Sequence, residues 1–84
     1  MKAVTVYSKE VCPYCDRAKQ ILKNKDIDYE EIMVDQDDQQ LAKMKELSGQ
    51  KTVPQIFIGD ESIGGFDELY ELVKQDKLDQ KLAD

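Results

Sequence analysis

"VTVYSKEVCPYCDRAKQILKN", residues 4–24, holds both cysteines of an 84-residue chain and the change of hydrophobic period that decides its fold. Val4 and Val6 alternate with polar neighbours, the period of a strand, so a first strand is expected over residues 2–7, with Met1 as a further apolar member. From Cys15 onward, Ala18, Ile21 and Leu22 fall at helical spacing. Pro13 suits the first position of a helix, where its missing N–H and fixed φ cost nothing, and the spacing predicts a helix over residues 13–24. "IDYEEIMVD", residues 27–35, follows as a second strand with Tyr29, Ile32 and Val34 as its apolar members. Strand, helix and strand with short joints form a βαβ unit, whose two strands run parallel as neighbours or near neighbours.

Downstream of that unit, Asp35 or Asp37 can cap a second helix that carries Leu41, Met44 and Leu47 on one stripe and stops at Gly49. "VPQIFIGDESIGG", residues 53–65, reads as a hairpin: "QIFI", a Gly-Asp turn, then "ESIG". A last long helix is expected from Phe66 or Asp67, burying Leu69, Leu72 and Val73, and Leu78 and Leu82 pin a short tail helix. No repeat, low-complexity segment or linker interrupts the pattern. The expectation is an α/β fold, a four-stranded mixed sheet flanked by helices, in one domain over residues 1–84.

Composition narrows the function classes. The chain is 40% hydrophobic and 36% charged, which fits a globular protein rather than a disordered one. Its net charge of −6 argues against nucleic acid, because phosphate binding depends on clustered Lys and Arg. No apolar run approaches the ~20 residues of a membrane span, and no segment reads as a basic amphipathic membrane helix. The N-terminus alternates like a strand and lacks the apolar block of a signal peptide, so the expected location is the cytoplasm. The densest acidic stretch, from Asp26 to Asp38, reads as a solvated face.

Three readings compete for Cys12 and Cys15. A structural staple across three residues closes too short a loop to stabilise much, and a reducing cytosol would tend to open it. A zinc site wants four ligands, usually Cys and His, and this chain offers two cysteines and no histidine. The third reading is a reactive dithiol, and position favours it. A helix that starts at Pro13 puts Cys12 at its N-cap, facing unpaired backbone N–H groups and the positive end of the helix dipole. Both stabilise a thiolate, the only form that attacks a disulfide, so the Cys12 pKa is expected to be depressed. Lys9, Arg17 and Lys19 are near in sequence and add to this, against Glu10 and Asp16. Cys15, one turn inward on the same face and more shielded, is the expected resolving partner. A C-x-x-C pair beside a βαβ pattern is the signature of a thioredoxin-like redox motif.

At this point the residues resemble a glutaredoxin. "CPYC" is that family's dithiol active site, and "TVPQIFI" (residues 52–58) and "GGFDEL" (residues 64–69) resemble its two other signature segments, in the same order. With "YSKEVCPYC" at the front, the match spans nearly the whole chain, and the short length is most similar to the small bacterial glutaredoxins. The resemblance implies a thioredoxin-like fold with Cys12 and Cys15 as the redox-active pair. It also implies a glutathione site. Lys9 would meet the glycine carboxylate, Tyr14 would lie over the rim, and Pro54 would be a cis proline exposing the backbone of Val53 beside Thr52. Gly65, Phe66 and Asp67 would complete it, Phe66 mostly through its backbone and Asp67 by holding the ligand's amine. A helix N-terminus preceded by Gly64 and Gly65 offers N–H groups to a carboxylate in any case. Lys51 stands where an arginine is frequent in relatives, and it keeps the charge but not the planar fork.

The reading implied is a dithiol enzyme that reduces protein disulfides with both cysteines and glutathione mixed disulfides with Cys12 alone. Glutathione is its co-substrate and no bound cofactor is needed. Its partners would be glutathione and glutathionylated or disulfide-containing proteins, with neither nucleic acid nor membrane, and the expected state is a monomer. One rival is a thioredoxin-like reductant recharged by a flavoprotein reductase rather than by glutathione; "GGFDEL" favours glutathione. Another is a dimeric carrier in which two Cys12 thiolates and two glutathiones bridge a [2Fe–2S] cluster. In the family, proline after the nucleophilic cysteine goes with redox activity rather than cluster storage.

Overall fold

The computed structural model describes residues 1–83. Its first strand, β1 (Val4–Ser8), starts and ends later than the alternation alone predicted, and Met1 lies outside the core at 66% exposure. The helix α1 (Pro13–Asn24) matches its expected span, since Pro13 sets the start and Cys15, Ala18 and Leu22 bury one face. A shorter β2 (Glu30–Met33) follows, with Tyr29 and Val34 flanking rather than inside it. Then come α2 (Asp38–Ser48), β3 (Gln55–Ile58), β4 (Glu61–Gly64), α3 (Phe66–Lys74) and the short α4 (Leu78–Leu82).

The strands lie in the order β2-β1-β3-β4. β1 pairs β2 in parallel, the pairing that the α1 crossover requires, while β1–β3 and β3–β4 are antiparallel. The two-residue turn at Gly59 and Asp60 closes the β3–β4 hairpin, with Gly59 at a φ of 59°.

Period-two alternation divides the core in two. Val4, Val6, Ile56 and Ile58 face Ala18, Leu22, Leu69, Leu78 and Leu82 from α1, α3 and α4. On the other face Tyr7 and Phe57 meet Met44 of α2 and Val34, with the two rings edge to face at 5.6 Å. The fold is thus helices on both faces of a mixed four-stranded sheet, the thioredoxin-like arrangement expected. No helix among the described residues is long and apolar enough to cross a membrane.

Local signals explain the helix ends. Asp37 rather than Asp35 caps α2, accepting from the N–H groups of Gln39 and Gln40 at 3.0 and 3.3 Å. Gly49, at a φ of 72°, stops the helix in the left-handed conformation that glycine adopts freely. Asp35 instead accepts from the Glu10 N–H at 3.1 Å and ties down the loop ahead of Cys12. One expected core residue is misplaced: Leu47 is 53% exposed.

Candidate active site

Cys12 is the N-cap of α1 in extended conformation, with Pro13 as the first helical residue. Its Sγ accepts the Cys15 N–H at 3.1 Å, and its carbonyl accepts the Asp16 N–H at 3.0 Å. The sulfur therefore occupies the place that a Ser or Asp oxygen takes in an ordinary cap, inside the positive end of the helix field. Cys12 and Cys15 are joined as a disulfide with their Cα atoms 5.2 Å apart, so the structure is the oxidised form. Cys15 is completely buried and Cys12 is 6% exposed, so Cys15 is the more shielded of the two, as expected.

The cations expected to help the thiolate are differently disposed. Lys19 is bound to Glu31 at 2.7 Å and to Asp16 at 3.5 Å, so its charge is answered by carboxylates. The hydrogen bond to Glu31 is the main cause that holds the Lys19 ammonium above its ordinary pKa. Arg17 lies over the Tyr14 ring, 5.2 Å from its centroid. The Cys12 sulfur thus meets the backbone N–H of Cys15, while Lys19 is engaged by Glu31 and Asp16 and Arg17 by Tyr14.

Beside this motif lies a cleft of about 280 Å³. Tyr14 forms one wall, Thr52, Val53 and Pro54 a second, and Gly65, Phe66 and Asp67 a third. Three segments far apart in sequence thus meet around one space. The Val53–Pro54 bond is cis. Lys9 is not among the lining residues. It borders an adjoining depression with Asp35, Leu41 and Lys51, which shares Thr52 and Val53 with the cleft.

The Phe66 ring sits 5.7 Å from Tyr14 and stacks on Tyr70 at 5.8 Å, so its side chain joins those of Tyr14 and Tyr70 at the cleft that Phe66 lines. At the α3 N-terminus the cap N–H is already taken by a side chain. Gly65 is its cap, and because glycine has no side chain only half of a capping box exists: Glu68 Oε1 accepts the Gly65 N–H at 2.7 Å. The Phe66, Asp67 and Glu68 N–H groups have no acceptor within the helix, since its first closing bond runs from Leu69 to the Gly65 carbonyl.

Gln50, Gln55 and Glu68 line the cleft as well. Glu68 had a readable signal, a glutamate three residues after a helix cap. Gln50 and Gln55 had none. Among the described residues no group of three or more His, Cys, Asp or Glu side chains is placed to hold a metal ion.

The family model described as Glutaredoxin matches residues 4–63. The chain belongs to the glutaredoxin family. A glutaredoxin of Neisseria meningitidis serogroup A is 45% identical over 80 residues, 94% of each chain. Glutaredoxin 3 of Escherichia coli K12 is 44% identical over 82 residues, covering 98% of this chain and 99% of the relative. Among solved structures, the buckwheat glutaredoxin–glutathione complex superposes with a TM-score of 0.88 at 36% identity, over 96% of this chain and 76% of that one. The family's activity, glutathione-dependent thiol–disulfide exchange, is the activity of this chain. A glutaredoxin needs a nucleophilic sulfur, a second thiol within reach and a place for a small thiol. The disulfide at the α1 cap holds two sulfurs within bonding reach of each other, and the cleft opens beside Tyr14 of the same motif.

Proposed function

We propose that Cys12 is the nucleophile, Cys15 the resolving thiol, and the cleft between Tyr14, Thr52–Pro54 and Gly65–Asp67 the glutathione site. With a glutathione mixed disulfide, the Cys12 thiolate attacks the glutathione sulfur. The protein thiolate leaves, protonated by solvent, and a Cys12–glutathione disulfide remains. A second glutathione thiolate attacks that bond, releasing glutathione disulfide and restoring Cys12. With a protein disulfide, Cys12 attacks one sulfur, and Cys15 then displaces the reduced protein to form the Cys12–Cys15 disulfide. Two glutathiones reduce it, and electrons balance at two per cycle.

The observation that carries this reading is the joined Cys12–Cys15 pair at the α1 cap, with Tyr14 of the same motif forming a wall of the cleft. The buckwheat relative, described as a complex with glutathione, supports the identity of the ligand. The free first-turn N–H groups of α3 suit one ligand carboxylate, and the Val53 backbone before the cis Pro54 suits a strand-like contact with the ligand's cysteine. Asp67 holds the ammonium. Lys9 in the adjoining depression takes the glycine carboxylate. Glutathionylated and disulfide-containing proteins are the partners of a single-domain monomer working in the cytoplasm without a bound cofactor or contact with nucleic acid or membrane.

The test compares Cys12→Ser and Cys15→Ser in reducing a glutathionylated peptide, with glutathione and its reductase present. Cys12→Ser is expected to lose at least about a thousandfold in turnover, because an alcohol cannot take the place of the thiolate. Cys15→Ser is expected to keep that activity but lose reduction of a protein disulfide. Serine is a good N-cap, so an inactive Cys12→Ser that remains folded separates chemistry from stability. Turnover by Cys12→Ser, or its loss in both variants, would reverse or void the assignment.

A further inference from the structure

Gln55 opens β3 and is only 1% exposed; Ser8 is its one fellow among the buried polar side chains of the described residues. Strand alternation puts Gln55 on the Phe57 side of the sheet, under the segment that leads from α2 to Pro54. Its Nε2 donates to the Thr52 carbonyl at 3.0 Å, with Thr52 Oγ1 at 3.4 Å, and to Gln50 Oε1 at 3.3 Å. The orientation of this amide is forced, because a carbonyl oxygen only accepts and the nitrogen must face it.

Two consequences follow from that orientation. Gln55 Oε1 is left as a buried acceptor with no partner. An apolar side chain would fill the same space without an unsatisfied atom, so packing alone does not account for glutamine here. On the partner, the Gln50 oxygen is the atom engaged by Gln55, which leaves the amide nitrogen out of that contact, and Gln50 is an exposed residue that lines the cleft. Ser48 anchors the other end of the same segment: its hydroxyl accepts the Gln50 N–H at 3.0 Å and donates to the Met44 carbonyl at 2.7 Å.

We propose that Gln55 is a positioning residue for ligand binding, which rests on the reading of this cleft as the glutathione site. It fixes the Thr52 backbone and holds Gln50 with its two N–H groups outward, a donor pair for a carboxylate of the ligand. Gln55 makes no hydrogen bond to either cysteine, so it acts on binding and not on the thiol chemistry.

The experiment measures KM for glutathione, kcat and the titration of the Cys12 thiolate in Gln55→Met, which keeps volume and removes the hydrogen bonds. The expected result is a KM raised roughly 5- to 20-fold, with kcat within about twofold and the thiolate titration unmoved. Gln50→Ala alone raises KM by less, and adds nothing further in the Gln55→Met background, because both act through one contact. Gln50→Glu, at an exposed site that tolerates change, keeps an acceptor for Gln55 but replaces the outward donors with a carboxylate oxygen; it raises KM more than Gln50→Ala, whether or not Gln55→Met folds. An unchanged KM in Gln50→Glu overturns the proposal, as does a Gln55→Met whose kcat and Cys12 titration move together with its KM. Wild-type saturation by glutathione is the separate check. If it is absent, the glutathione site and this role fall together; if it is present and the variants match wild type, only the positioning role falls.

Discussion

Two helices aim their N-termini toward the working side of this molecule, and their caps are built in opposite ways. At α1 the cap is Cys12, whose sulfur takes the Cys15 N–H for itself, so the reactive atom sits inside the helix field. At α3 the cap is Gly65, without a side chain, and the one carboxylate that reaches back, from Glu68, takes the Gly65 N–H and leaves the first-turn donors open. The same unpaired backbone groups thus serve two ends. In α1 they meet a sulfur that belongs to the protein. In α3 they are left open, which on the reading proposed above suits a charge that arrives with the ligand, and Asp67 and Glu68 add negative charge in the same first turn.

The α3 cap breaks most severely at Gly64. Its φ is 112°, a conformation that side-chain-bearing residues rarely adopt, and an added Cβ would lie 2.6 Å from Glu68 Oε1. Gly64→Ala therefore carries backbone strain and also drives Glu68 off the Gly65 N–H. The expected cost is about 1–3 kcal/mol of stability, read as a lower urea midpoint with an unchanged slope. Glutathione binding should weaken with it while the Cys12 thiolate titration stays put, since α1 is untouched. A shift in that titration would mean that the two helix ends are not independent.

The contrast between these ends also marks what sequence could reveal. The α1 start was legible because proline, the cysteine spacing and the change of hydrophobic period all act locally. Leu47 was misread for a tertiary reason: α2 covers a sheet face whose fully buried cluster is only Tyr7, Val34, Met44 and Phe57, so its buried stripe is narrower than helical spacing implies. Met1 was misread because strand pairing begins at Val4, three residues further on, and Met1 is 66% exposed. Gln55 was hidden more deeply. With Ile56 and Ile58 turned to one face, alternation sends Gln55 and Phe57 to the other, where a polar residue ordinarily meets solvent. This sheet is covered on both faces, so that other face is also interior. The cleft's walls were recoverable only by resemblance, since three separate segments meet there and nothing in their local patterns says so.

A gentler change sharpens the comparison. Glu68→Gln keeps an oxygen for the Gly65 N–H but deletes the charge beside the open α3 donors. Stability is expected to change by less than about 1 kcal/mol, in the unfavourable direction, because a helix N-terminus prefers an anion. Affinity should move the other way. With one carboxylate fewer in the cleft wall, KM for glutathione is expected to fall about two- to threefold at low salt. Added salt should erase the gain, because exposed charges are screened. A KM that rises instead would mean that Glu68 contacts the ligand's ammonium, sharing the role proposed for Asp67.

The smallest expected effect lies away from both caps, where α1 is tied to β2 by Lys19 and Glu31. The hydrogen bond that Lys19 donates to Glu31 raises the Lys19 pKa above its ordinary 10.5, so the folded state holds this proton more tightly than the unfolded chain. The pair's contribution is therefore complete below that value and is lost as pH rises through the folded pKa. Tyr7 acts in the same direction, because burial first and Glu30 second raise its pKa above 10.0, and the fold favours the neutral phenol. Alkaline destabilisation should thus have two sources, of which Lys19→Met removes one. Glu31 and Lys19 are partly exposed, so Lys19→Met should cost less than about 1 kcal/mol near neutrality. In urea titrations at about pH 8 and about pH 11, the gap between wild type and Lys19→Met should narrow at the higher pH, while both proteins still weaken through Tyr7. A gap that stays constant would assign the Lys19 effect to packing of its aliphatic stem rather than to its charge.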